Sequence, residues 1–157
     1  MMEKIKETHP DAAFCVCNVA EWEVNYKDGE SHFDICGGAR AFNADIIVMR
    51  FIENIKKQDF DGVIFKSELG KLFGFIDPRG KAKIIMSTGF WRHPGDEYIR
   101  DFADENSLPL VELGDLGQLD EMKAIGLFEH GGVANHPGDS GMKNIADRLF
   151  DQLKNYI

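Results

Sequence analysis

His136 heads the stretch His136-Pro-Gly-Asp-Ser-Gly-Met-Lys-Asn-Ile-Ala-Asp147, whose residue types suit a base held at a fixed place. Pro137 fixes φ immediately after the imidazole, and Asp139 or Ser140 can cap the helix that follows. An imidazole held at a defined position in this way suits a catalytic loop. The plain alternative is a surface histidine at the start of a helix, with no chemical partner.

A second group of candidates lies in Arg50-Phe-Ile-Glu-Asn54 and Ser87-Thr-Gly-Phe-Trp91. Arg50 and Glu53 suit a polar substrate or a mutual ion pair. Trp91, with Phe90 and Trp22, offers an apolar wall or a sugar platform, or else core packing. Among the serines, Ser87 reads as a strand-end hydroxyl, Ser140 as a helix cap, and Ser31 and Ser67 as surface residues. None has a base in predictable reach. His93, His130, His136 and Asp139 lack the short spacings of a metal site, and no cofactor is implied. Three cysteines cannot all pair; Cys15, Cys17 and Cys36 read as buried, reduced thiols that pack as small hydrophobes.

These residues need a scaffold, and the pattern of apolar runs supplies one. Phe14 to Ala20, Ala44 to Phe51, Ala82 to Thr88 and Leu108 to Leu113 are strand-length, and the runs around Ile46 and Ile84 lack polar alternation. Strands covered on both faces in a parallel sheet read this way. Helices are predicted over Met1 to Thr8, Phe60 to Ile76, Gly95 to Asn106, and from about Ser140 to the end. In the last of these Met142, Ile145, Ala146, Leu149, Leu153 and Tyr156 make one apolar face. The order is a helix followed by four strand–helix repeats, an α/β class with right-handed crossovers. Function in such sheets collects beyond the carboxyl ends of the strands, where Asn18 to Trp22, Arg50 to Asn54, Ser87 to Trp91 and Gly131 to Gly141 fall.

The 157 residues contain no repeat or linker, which fits one domain spanning 1–157. A net charge of −9 repels polyphosphates and anionic lipid, so nucleic acid is not an expected partner. No apolar run approaches the ~20 residues of a membrane span. The charged start, Met-Met-Glu-Lys-Ile-Lys, has no signal core, so the expected location is cytoplasmic.

The His136 to Asp147 stretch resembles the last conserved block of the SGNH (GDSL-type) hydrolases, whose His is the general base. Asn43-Ala-Asp-Ile-Ile-Val-Met-Arg-Phe-Ile-Glu-Asn-Ile55 is similar to the family's third block, a buried strand ending in Gly-x-Asn. The strand-end segment from Ile84 to Trp91, then Tyr98 to Ala103 and Leu108 to Leu113, follows the order in carbohydrate-active members. The resemblance runs from about Asp11 onward. It implies a three-layer α/β/α domain with a mostly parallel, flavodoxin-like sheet. It also implies a Ser–His esterase acting on small or carbohydrate acyl esters, with His136 as base and Asn54 as oxyanion donor; Glu53, Trp91 and Arg50 are the residues expected at such a substrate from their own types and places.

The resemblance also has gaps. The block that supplies the nucleophilic Ser, and a central strand with it, has no counterpart, so the chain reads as N-terminally truncated and its esterase chemistry as impaired. Val133 stands three residues before His136, where many members have an Asp that orients the ring. Ile52 replaces the Gly of Gly-x-Asn and is expected to crowd the substrate loop; Gly37, Gly38 and Asn18 are weak counterparts of the second-block Gly. A missing strand leaves unpaired edges, so either Phe14 to Ala20 shifts into the vacancy or two chains associate there. The alternative to an enzyme is a non-catalytic binding or self-association protein of the same fold.

Overall fold

A computed structural model describes residues 1–157. It contains helix α1 (Met2–Thr8), α2 (Ala20–Asn25), α3 (Gly37–Phe42), strand β1 (Ile46–Arg50), α4 (Gly62–Ile76), β2 (Lys83–Ser87), α5 (Asp96–Glu105), β3 (Leu110–Val111), α6 (Gly131–Ala134) and α7 (Asp139–Leu153). A 3-10 segment, Tyr26–Cys36, joins α2 to α3. The architecture is mixed α/β around a parallel sheet of order β1-β2-β3, with Val48 opposite Ile85 and Ser87 opposite Val111.

Side chains alternate across a strand, and here both directions are apolar. Ile47, Met49, Ile84, Met86 and Leu110 pack with a core made by α2, α4 and α5; Ile46, Val48, Ile85 and Val111 pack with one made by α1 and α7. This double coverage is why the runs around Ile46 and Ile84 show no polar alternation. In α4, Phe65, Leu69, Leu72 and Ile76 recur at helical spacing on the buried face, and Asp61 caps the first turn by accepting from the amides of Val63 and Ile64. Burying each such side chain contributes about 1.5–3 kcal/mol. In α7 the buried residues Ile145, Leu149 and Leu153 come four apart.

Several expectations are corrected. Phe14 to Ala20 is not a strand: residues 13–18 make no backbone–backbone hydrogen bond, and Ala20 already begins α2. Its apolar residues divide between the two cores, with Ala12 and Phe14 on the α7 side and Cys17 and Val19 on the α4 side. No strand is beside it to satisfy its amides, so alternation alone does not make it one. It therefore does not fill a vacancy in the sheet, which has three strands rather than four. Leu108 to Leu113 shrinks to a two-residue strand. Helix α7 begins at Asp139 with Gly138 as N-cap and no side-chain cap, so neither Asp139 nor Ser140 caps it, and it ends at Leu153. Cys15 is exposed and Cys17 half-buried; only Cys36 is fully buried. No helix is long and apolar enough to cross a membrane.

Two glycines test the packing with opposite signs. A Cβ at Gly117 would sit 2.2 Å from the Phe90 carbonyl oxygen, whereas one at Gly74, on the exposed side of α4, meets nothing within 4 Å. Gly117→Ala is therefore expected to lower stability in urea unfolding by about 1–3 kcal/mol. Gly74→Ala is expected to raise it by about 0.5–1 kcal/mol.

Candidate functional site

The turn after β1 is organised by a buried carboxylate. Glu23, on α2 and 2% exposed, accepts hydrogen bonds from the backbone amides of Ile52 and Asn54 and from the Asn54 side-chain amide at 2.5 Å. Ile52 has φ +82°, a left-handed conformation that a β-branched residue rarely adopts. The turn persists because Glu23 binds two of its amides and because Ile52 is buried at 2% exposure. Gly89 and Gly95 provide the room: a Cβ on either would lie under 3 Å from the Ile52 side chain. Ile52 thus fills the space left by two glycines and does not crowd an open loop, contrary to expectation.

Glu53 links this turn to the end of β2. One of its oxygens accepts from the Phe90 amide at 2.7 Å and the other from Arg50 at 2.5 Å. The next residue, Trp91, meets the His136 ring edge-on at a centroid distance of 5.1 Å, and its indole N–H donates to the Asn135 carbonyl. The structure thus brings Arg50, Glu53, Trp91 and His136 into one connected group at the strand ends. Asn54 is turned toward α2. Its amide has two N–H groups, and the residue is exposed, so one remains for a ligand while the other is held by Glu23.

His136 is exposed, and its Nδ1 lies 2.8 Å from the Gly132 carbonyl oxygen. A carbonyl only accepts, so Nδ1 carries the proton and Nε2 of the neutral ring presents its lone pair. A main-chain oxygen thereby does the orienting that Val133 cannot. No serine hydroxyl is hydrogen-bonded to this ring. Ser87 is buried at the end of β2 with its hydroxyl unpartnered, Ser140 is exposed on α7, and Ser31 donates to the Asp28 carbonyl.

Beside Trp91 lies a cleft of about 590 Å³ with no hydrophobic residue in its wall, formed by Arg92, His93, Asp96, Arg100, Glu112 and Asp115 among others. His93 is immobilised: Gly95 N donates to its Nδ1, and its Nε2 meets the Ile55 carbonyl. Burial holds its pKa below the usual histidine range. Arg100 grips Glu112 with two hydrogen bonds, which depresses the Glu112 pKa. Asp96 is 5% exposed; one oxygen takes the His93 amide, the other has no partner, and burial raises its pKa. No three His, Cys, Asp or Glu side chains converge as metal ligands.

Sequence reasoning missed Glu23 and the Gly132 carbonyl. A carboxylate between Trp22 and Val24 carries no sign that it will be buried, and an acceptor on the main chain leaves no trace in residue type. No family model, curated protein or solved structure matches the chain.

Burial raises the Glu23 pKa despite its three donors, and the neighbouring Glu53 charge adds to the rise. The stability Glu23 contributes is thus complete below 4.5, its unfolded value, and is lost as pH climbs through the raised folded value. Glu23→Gln, which cannot ionise, is expected to gain on the native chain as pH rises above 4.5, read as the urea midpoint difference. A pH-independent difference counts against this assignment. Glu23→Ala, which strands three donors, is expected to cost about 2–3 kcal/mol.

Proposed function

We propose that this chain is an SGNH-type hydrolase domain, built for small or carbohydrate acyl esters, that carries a base and an oxyanion donor but no nucleophilic serine beside them. On this reading the domain has the three-layer, flavodoxin-like arrangement of that family. The observation that carries the proposal is His136, whose Nδ1–H is tied to the Gly132 carbonyl so that Nε2 is free as a base. A second support is Ile52: it occupies the Gly position of a Gly-x-Asn turn, and its φ of +82° is the backbone conformation that favours glycine.

The chemistry follows from these groups. His136 Nε2 takes a proton from water as the water oxygen attacks the ester carbonyl, and the free N–H of Asn54 donates to the developing oxyanion. Collapse of the tetrahedral intermediate expels the alkoxide, which recovers the proton from the imidazolium. Trp91 borders the reacting carbonyl, and the Arg50–Glu53 pair with the polar cleft beyond Trp91 receives the hydroxyl-rich alcohol portion. Without a covalent serine step, turnover is slow.

Hydrolysis of a small activated acetyl ester tests this against buffer and an unrelated protein. Turnover above both controls is expected, falling about tenfold or more in His136→Ala and in Asn54→Ala and unchanged in Ser140→Ala. Turnover that is absent, or indifferent to His136, overturns it.

A non-catalytic, self-associating role is the second reading, favoured by one observation: β1 pairs only with β2. Lys83 N donates to the Asp45 carbonyl, and in a parallel ladder this register turns the amides of Ile46 and Val48 away from β2. Such an edge accepts another strand. On this reading sedimentation equilibrium finds a homodimer that Val48→Pro reduces to monomer while the far-UV circular dichroism is retained. A monomer at every concentration removes this reading.

A further inference from the structure

Cys17 and Cys36 have no part in the proposed ester chemistry, yet their sulfurs lie 3.5 Å apart. Cys36 is fully buried where the 3-10 segment meets α3, while Cys17 is half-buried on the irregular segment before α2. A disulfide requires the sulfurs to close to about 2.05 Å. Residues 13–18 make no backbone–backbone hydrogen bond, so the Cys17 side of the pair can make that approach without breaking helix or sheet. We propose that Cys17 and Cys36 form a peroxide-responsive dithiol, with Cys17 the thiol that meets the oxidant and Cys36 the one that resolves it.

The order of events follows from access and protonation. Burial, with the Cys17 sulfur next to it, pushes the Cys36 thiol up to about 12, so it stays protonated and out of reach of solvent oxidant. The Cys17 sulfur attacks one oxygen of hydrogen peroxide; the O–O bond breaks, water leaves, and Cys17 becomes a sulfenic acid. The Cys36 sulfur then attacks the Cys17 sulfur, the S–O bond breaks, and the departing hydroxide takes the Cys36 proton as a second water. Two thiols are oxidised by two electrons to one disulfide, and one peroxide is reduced to two waters. Cys15 is exposed and has no sulfur partner, so it stands outside the pair.

The bond also bears on the site described above. Cys17 lies just before α2, which carries Glu23, and Cys36 is the N-cap of α3. The disulfide would tether the start of the Glu23 helix to the start of α3, closing the chain between residues 17 and 36.

The test uses the full chain with Cys15→Ser, treated with one equivalent of hydrogen peroxide and digested with trypsin under non-reducing conditions. The expected product is a monomer lacking two hydrogens, in which peptide Glu7–Lys27 is joined to peptide Asp28–Arg40. It is expected to form about tenfold faster than any cross-link in the further variant Cys17→Ser, which leaves Cys36 alone and changes only a half-buried position. A chain that gains oxygen on Cys17 as sulfinic acid without the joined peptides overturns the proposal, as does one that cross-links only between molecules.

Discussion

The carboxylate of Glu23 is the constraint on which the candidate site depends. It is a charge-bearing group in the core, an arrangement that is costly unless donors surround it, and the turn from Ile52 to Asn54 provides them. The exchange is mutual, because the turn needs the carboxylate as well. Ile52 carries a backbone conformation hostile to its branched side chain, and strain of about 1–3 kcal/mol at such a residue persists only where surroundings over-determine it. Glu23 fixes the amides, and Gly89 and Gly95 leave room for the side chain. Once the turn is fixed, Glu53 is directed to Phe90 and Arg50, and the strand ends are tied to one another.

The parts of this arrangement that were legible in the sequence are those written in hydrophobic pattern. Ile46 to Met49 and Ile84 to Met86 lack polar alternation because consecutive residues, such as Ile85 and Met86, enter different cores. The face of α4 is equally direct, and that of α7 holds at Ile145, Leu149 and Leu153, whereas Met142 is exposed and Tyr156 lies exposed beyond the end of the helix. Phe14 to Ala20 misled because pattern reports which side chains are apolar and not whether a partner strand is present. That segment places Phe14 in one core and Cys17 in the other, as a strand would, yet its amides have no ladder. The helix start at Asp139 misled in a smaller way: Asp, Ser and Gly are all cap residues, and Gly138 takes the position.

Candidate site residues divided along the same line. Trp91 was recognisable by its place beyond a strand end and His136 by the Pro-Gly turn before a helix, and the two meet in the structure. That turn follows α6 and not, as expected, a strand. Glu23 was not, because nothing local distinguishes a carboxylate that will be buried from its exposed neighbour Glu21. The Cys17–Cys36 contact was equally hidden, since eighteen residues, among them helix α2 and the 3-10 segment, lie between the two cysteines and only the fold brings their sulfurs together.

His136 shows how far positioning and electrostatics separate. The Gly132 carbonyl fixes the tautomer and the direction of the ring as well as a carboxylate would, since either accepts the Nδ1 proton. It does not bring a negative charge. When Nε2 takes a proton, the imidazolium that forms is stabilised by a dipole rather than by an anion, and the ring lies at an exposed surface where water competes. Trp91 contributes an edge-on contact, which shields one side of the ring without neutralising its charge. Any proton transfer to this ring would therefore be oriented but only weakly driven. A reaction that relied on it would need an attacking hydroxyl delivered at close range, a role that the proposed reading gives to water.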